Sequence, residues 1–277
     1  MSVVAVPLLP AGLDVCPLRA GDLAAVADLL AAAERLDDTG ERPDAYELAE
    51  WFTYCRLEFD RDGLAVLDTA GDLVAYAAAA ALPTFRDAFR VHLEGRVDPR
   101  LRGAGIGRAL LDWQVTRGRQ VHAERHPEVA ASLTVPLPGA MTALEGLVRR
   151  AGFTAERWDR QMRRPLTDLP GASRVAGVEV VPFDWSRDDE VRRAHNTAFV
   201  EHRGSSEQDP ESWRAMFTGE RSFRPDLSVL ALESRAVVGY ALMYVYEADT
   251  QAQGFRQAHL GQIGVLPRCA VGAWRRH

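Results

Sequence analysis

The sequence predicts a mixed α/β (α+β) fold laid down twice in tandem, the second copy incomplete after its fourth strand. Three observations carry that prediction. Apolar runs of strand length alternate with amphipathic runs of helix length. A strand, a glycine-rich loop and a helix succeed one another in Val97-Asp98-Pro99-Arg100-Leu101-Arg102-Gly103-Ala104-Gly105-Ile106-Gly107-Arg108-Ala109-Leu110-Leu111. Finally, Leu64-Ala65-Val66-Leu67 and Val97-Asp98-Pro99 return as Leu227-Ser228-Val229-Leu230 and Val265-Leu266-Pro267, with Tyr76 matched by Tyr240. A repeat on that scale means two domains of one type. The chain of 277 residues therefore divides into a first domain, 1–166, a Pro-containing polar linker, 167–176, and a second domain, 177–277.

Taken in order, Asp14 to Leu18 reads as a short strand. Asp22, Leu23, Val26, Leu29, Leu30 and Ala33 then give a helix an acidic start and an apolar stripe. A loop turning at Thr39-Gly40 leads to a second helix from about Asp44 to Arg56, which carries Tyr46, Trp51, Phe52 and Tyr54. Leu64 to Leu67 and Leu73 to Leu82 form a hairpin around Ala70-Gly71-Asp72. Arg90 to Val97 is the strand that feeds the glycine loop, and the helix after the loop, with Ile106, Leu110 and Trp113 on one face, runs to about His122. Ala130 to Val135 is a further strand, Met141 to Ala151 a helix closed by Gly152, and Phe153 to Pro165 the last strands.

The loop is built to hold a pyrophosphate. Glycines at 103, 105 and 107 permit positive φ and remove side chains that would keep a phosphate away, and the amides of the following helical turn attract anions. A nucleoside-triphosphate loop would need Lys-Ser or Lys-Thr after its last glycine, and the chain has neither. A Rossmann fingerprint would need glycine where Arg108 stands. The pattern Arg/Gln-x-x-Gly-x-Gly/Ala is filled by Arg102, Gly105 and Gly107 behind a Val-x-Pro at 97–99. It resembles the coenzyme A pyrophosphate loop of the GNAT superfamily, the acyl-CoA-dependent N-acetyltransferases.

That resemblance implies acetyl-CoA as co-substrate, no metal, and a small-molecule amine acceptor that takes the acetyl group by direct attack. Val97, Arg102, Gly103, Ala104, Gly105, Ile106, Gly107 and Arg108 are then the donor-binding residues, and a β-bulge in the Arg90–Val97 strand would receive the pantetheine arm. A strand amide near Gly95 would polarise the thioester carbonyl. Glu94 is the candidate base, the alternative for Glu94 or His92 being a strand residue that faces solvent. Aromatic residues on the second helix are core or acceptor pocket. Family members often place a tyrosine four residues before the Gly-Phe that closes the later helix, as acid for the leaving thiolate; here that position is Val148.

In the second half, Ala194-His195-Asn196-Thr197-Ala198-Phe199 with His202, Gly204 and Trp213 is similar to the second domain of actinobacterial tandem GNAT proteins, the mycothiol synthase group. In that group the second domain usually does the chemistry while the first binds acetyl-CoA. Glu247, Asp249 and His259 lie where a base would act, or are plain loop and strand residues. No Arg-x-x-Gly-x-Gly/Ala follows Pro267, so the second domain is expected to lack its pyrophosphate loop, the helix after it and the final strands. Such a sheet is expected to keep an unpaired edge and an uncovered apolar face, so that the second half depends on the first half or on self-association for cover. The rival to an enzyme is therefore a non-catalytic acetyl-CoA-binding protein with a disabled second domain.

Composition excludes other classes. The net charge is −6 and all 33 basic residues are arginine, which argues against a nucleic-acid footprint. No apolar run is long enough to span a membrane and the opening residues lack a secretory pattern, so the expected location is cytoplasmic. Cys16, Cys55 and Cys269 form no Cys-x-x-Cys and are read as reduced structural thiols.

Overall fold

A computed structural model describes residues 4–139, 141–169, 171, 175–202 and 205–269. Gly204, part of the linker and the tail from Ala270 lie outside the described residues. In the first half the order is β1 (Asp14–Pro17), α1 (Leu23–Asp37), α2 (Ala45–Tyr54), α3 (Phe59–Asp62), β2 (Gly63–Leu67), β3 (Leu73–Ala81), β4 (Phe89–Val97), α4 (Ile106–Arg125), β5 (Ala131–Thr134) and α5 (Thr142–Arg150). The second half contains β6 (Val178–Pro182), α6 (Asp188–Ala198), α7 (Pro210–Trp213), β7 (Val229–Glu233), β8 (Ala236–Tyr244), α8 (Glu247–Gln253) and β9 (His259–Val265).

Each half is built on its own sheet, β1-β2-β3-β4-β5 in one and β6-β7-β8-β9 in the other. All neighbours are antiparallel except β4 and β5. The alanine-rich β3 is buried along almost its whole length. Its small side chains let helices approach both faces: Leu23, Val26 and Phe52 of α1 and α2 pack on one, Ile106, Leu110 and Trp113 of α4 on the other. Alanine favours helix, yet burial on two faces within a hairpin decides for strand.

The repeat is visible in the hydrogen bonding. Val97 pairs with Ala75 and Val265 with Gly239. Just beyond, the Asp98 amide donates to the Val74 carbonyl and the Leu266 amide to the Val238 carbonyl, both at 2.8 Å. Register corrects one sequence match: Leu64 is equivalent to Val229 rather than Leu227, because Leu64 pairs with Ala77 and Val229 with Ala241. The two-residue slip preserves the face each side chain occupies.

Two expectations fail. Residues 154–165 form no strand, and Trp158 and Met162 are exposed; without apolar partners on a sheet face, this stretch has nothing to pair for. The bulge expected in β4 is absent, since its register with β3 is unbroken from Ala75–Val97 to Ala81–Val91. A register shift occurs instead in the second half, where Leu242 pairs with Gln262 but Met243 with Leu260, leaving Gly261 as the extra residue.

The halves meet along a polar seam. The Arg42 amide donates to Asp249 Oδ1 (3.1 Å), the Arg221 amide to Glu50 Oε1 (3.0 Å), and Ser206 Oγ to Thr84 Oγ1 (2.7 Å). Met216 packs against the cores of both halves.

Candidate active site

The glycine loop sits where β4 ends. A short 3₁₀ turn, Pro99–Leu101, capped by Asp98, redirects the chain. Gly103 and Gly105 then adopt φ of +84° and +87°, and Gly105 opens the 20-residue α4. A Cβ at either glycine would meet nothing within 4 Å, so left-handed backbone rather than crowding demands glycine there. Residues 103–105 are exposed, and the amides of 103–107 have no partner among the described residues. Five unpaired N–H groups at the positive end of a long helix form an anion cradle.

The sequence assigned charge to Arg102 within that cradle, but its guanidinium is already engaged. It grips Asp37 at the end of α1 with two bonds, 2.6 and 2.8 Å, and its Nε donates to the Val97 carbonyl at 3.2 Å. Arg96 adds a second cation to the same carboxylate at 3.3 Å. With Asp37 itself buried, Arg102 fastens the loop to α1, while Arg108 remains exposed beside the cradle. Val97 and Ile106 pack beneath it.

β4 and β5 run parallel only from Phe89–Ala131 to His92–Thr134. Beyond that point β5 stops, and Leu93 to Val97 have no neighbour on that edge among the described residues. The cleft opens toward the cradle. Gly95 lies in it, exposed, and a Cβ there would come within 2.6 Å of the Tyr76 carbonyl.

Side chains alternate along β4, so His92, Glu94 and Arg96 point together to the face covered by α1 and α2. Glu94 does not face bulk solvent as a plain strand residue would: its Oε1 accepts the indole N–H of Trp51 at 2.6 Å. Burial pushes its carboxyl up to about 7, against the smaller opposing effect of that hydrogen bond. His92 stands edge-on to the same indole at 5.9 Å, and burial holds it down to about 4, neutral at pH 7. A carboxyl that titrates near neutrality is suited to proton transfer.

Trp51 also walls a cavity of about 170 Å³ at the seam, together with Tyr54, Met216, Tyr246 and the carboxylates Glu47, Glu50 and Glu220. A neighbouring cleft of about 360 Å³ shares Glu50 and Tyr54. The aromatics predicted as core or acceptor pocket thus divide: Phe52 is fully buried, whereas Tyr46, Trp51 and Tyr54 line these openings. Sequence reasoning missed Glu47, Glu50 and Glu220, which come from distant stretches and show no spacing signal.

Val148 is buried among Phe89, Val91 and Leu93, so no hydroxyl serves that point. In the second half His195 is a core residue, its Nδ1 2.7 Å from the Tyr240 hydroxyl and its ring stacked on Phe199; burial lowers it to about 4. Glu247 is exposed. Asp249 Oδ2 and His259 Nε2 approach to 3.9 Å. Among the described residues no group of His, Cys, Asp or Glu is arranged to hold a metal, and no helix is long and apolar enough to cross a membrane.

Comparison with known proteins bears on this geometry. The Acetyltransferase (GNAT) family matches residues 24–134, the stretch from α1 through β5. The mycothiol acetyltransferase of Frankia alni is 32% identical, covering 90% of this chain and 75% of the relative. That of Frankia casuarinae is 31% identical, covering 90% and 79%. Among solved structures, a GCN5-related N-acetyltransferase from Sphaerobacter thermophilus reaches a TM-score of 0.68 at 23% identity over 97% of this chain and 79% of that one. Saccharomyces cerevisiae N-myristoyltransferase with bound myristoyl-CoA reaches 0.55 at 14% identity, covering 86% and 62%. These last two likenesses are of fold. The identity to the Frankia proteins over most of both chains, with the loop and the two sheets described above, establishes that the chain belongs to the GNAT family of N-acetyltransferases, in the branch that holds the mycothiol acetyltransferases.

Proposed function

We propose that the chain transfers an acetyl group from acetyl-CoA to an amine of a small molecule, with the donor bound by the first half. The observation that carries this reading is the set of unpartnered amides at 103–107 opening α4 beside the β4/β5 cleft. The pyrophosphate docks on those amides with Arg108 beside it, and the loop keeps its shape because Asp37 holds Arg102. The pantetheine arm lies along the free edge of Leu93 to Val97, and a backbone amide near Gly95 polarises the thioester carbonyl. The acceptor enters from the seam, where its nitrogen loses a proton to Glu94 and attacks the carbonyl carbon. The new C–N bond forms as the C–S bond breaks, and coenzyme A leaves as thiolate. With Val148 in place of a hydroxyl, that thiolate takes its proton from solvent.

The second reading is a protein that holds acetyl-CoA without turnover, and the buried Val148 favours it. Calorimetric titration of acetyl-CoA, followed by assay of free thiol with a panel of primary amines, separates the two. The unacetylated form of mycothiol belongs in that panel because the relatives carry its name. Thiol release in the presence of an amine supports the enzyme; saturable binding without release supports the binding protein; no binding overturns both.

A further inference from the structure

The β3/β4 ladder fixes which way the backbone of β4 points. At its two ends the Asp98 amide donates to the Val74 carbonyl (2.8 Å) and the Leu82 amide to the Arg90 carbonyl (2.9 Å). Hydrogen-bonded and non-hydrogen-bonded pairs alternate along an antiparallel ladder, and the register between those ends is unbroken. Ala78–Glu94 is therefore a hydrogen-bonded pair and Ala77–Gly95 is not. The Gly95 N–H thus points away from β3, in the direction of the Phe89 amide, which meets the Ala130 carbonyl at 2.8 Å. At Gly95 that edge is vacant among the described residues, because β5 pairs no further than His92–Thr134.

A glycine on a strand without its outer neighbour is free to twist. One side chain opposes that freedom. α4 turns an apolar face to the sheet, yet Gln114 lies on this face and is only 6% exposed. A buried amide is costly unless its donors are used. Gln114 Nε2 donates to the carbonyls of both members of the hydrogen-bonded pair, Ala78 at 3.0 Å and Glu94 at 2.5 Å. Two carbonyl acceptors call for an NH₂ group; a carboxylate of the same shape has no hydrogen to give. Both carbonyls already serve the ladder, so Gln114 braces an existing pair rather than completing an unmet one. Residue 95 offers no side chain in its way: a Cβ there would stand on the α4 side, 3.6 Å from Gln114 Nε2 and 2.6 Å from the Tyr76 carbonyl oxygen.

We propose that Gln114 is a positioning residue for acyl transfer: by holding the Glu94 carbonyl from the α4 side, it fixes the Glu94–Gly95 peptide and aims the Gly95 N–H into the cleft. The inference rests on the acetyl-transfer reading above. A trans peptide is planar, so anchoring its carbonyl oxygen also sets its N–H, which points the opposite way. The amide that polarises the thioester and the carboxyl that takes the proton belong to adjacent residues, and this one peptide plane governs the angle between them. Misplacement by about 1 Å is enough to cost ~10²-fold in rate.

The test loads the full chain with acetyl-CoA labelled with carbon-13 at the thioester carbonyl, and follows that carbonyl's stretch by isotope-edited infrared difference spectroscopy. Calorimetry of acetyl-CoA confirms occupancy. Binding to the unaltered chain should move the band to lower frequency, because a hydrogen bond weakens the C=O bond. Gln114→Met keeps the volume and removes both donors; it should retain donor affinity and lose most of the band's displacement. Gln114→Asn, whose amide stops one methylene short, should lose it in the same sense and serves where the methionine variant does not fold. Asp112→Asn, an exposed change on α4, should keep the full displacement. Full displacement in either Gln114 variant overturns the proposal, and so does a loss of donor affinity in both, which would make Gln114 a packing residue. A bound donor whose band does not move in the unaltered chain overturns the role of the Gly95 amide and this inference together, whereas failure of the unaltered chain to bind acetyl-CoA overturns the acetyl-transfer reading itself.

Discussion

The two halves share strand order, the hydrogen bond beyond the fourth strand and a matched tyrosine, yet they differ at the fourth strand itself. β4 keeps unbroken register, gains a parallel neighbour and carries Glu94 three residues before Val97. β9 is bulged at Gly261, has no outer neighbour among the described residues, and bears Gln262 three residues before Val265. The apolar face differs as well: Leu64 is 6% exposed beneath α4, while its equivalent Val229 is 38% exposed and Ile263 59%. One framework thus carries a buried carboxylate and a glycine loop with unpartnered amides in one half. In the other half the equivalent strand position is Gln262, and the residues that meet the first half come from the helices and loops around the sheet. The comparison teaches that fold repeats do not carry chemistry with them; the side chain at one strand position and the loop after it do.

The sharpest way to break this division of labour is at that strand position. Glu94→Gln should lower kcat by about 10²–10⁴-fold, the usual contribution of a general base, with acetyl-CoA affinity unchanged. Gln262→Ala should leave kcat alone, and a matching loss there would assign the chemistry to the second half. Next in size is the cradle. Gly105→Glu places a carboxylate and a side chain at φ +87°, and calorimetry should show acetyl-CoA affinity falling by roughly 100-fold, as expected for two lost charge-assisted hydrogen bonds. Residual tight binding would reveal a second donor site.

A smaller effect is expected from Asp37→Asn, which weakens the grip on Arg102 and Arg96. Thermal unfolding should show a loss of about 2 kcal/mol, together with weaker donor binding. The pH dependence should be modest and shared between the halves. Glu94 and Glu220 bind their protons near pH 7 when folded, against an ordinary 4.5. At these two carboxyls the folded chain holds more protons than the unfolded one between those values, whereas at His92 and His195, both held down to about 4 against an ordinary 6.5, it holds fewer. The stability these carboxyls contribute is full below about pH 4.5 and is lost as pH rises through about 7. The difference in Tm between Glu220→Gln and the unaltered chain should therefore rise in favour of the variant as pH goes from about 4.5 to about 7, and identical pH profiles of Tm in the two proteins would contradict the burial of Glu220 described here. The mildest expectation concerns the uncovered sheet: Ile263→Asp should reduce self-association in analytical ultracentrifugation while the fold persists, and a wild-type chain monomeric at all concentrations would remove that role from the face.

The sequence by itself determined what is encoded locally. The glycine loop and the helix it opens were legible because glycine spacing, the preceding Val-x-Pro and the periodic Ile106, Leu110 and Trp113 lie within one stretch. The strands and the repeat were legible for the same reason, and so was Glu94 as a position on a strand. Tertiary structure alone decided what depends on residues far apart in the chain. It buried Glu94 and so raised its pKa, set the Trp51 indole against that carboxyl across 43 residues, and tied Arg102 to Asp37, 65 residues away. It moved the bulge from β4 to β9, left 154–165 without a sheet to join, and brought Glu47, Glu50 and Glu220 to one seam. Backbone conformation follows from neighbours a few residues away, whereas the charge, burial and partner of a side chain are properties of the space that packing creates around it.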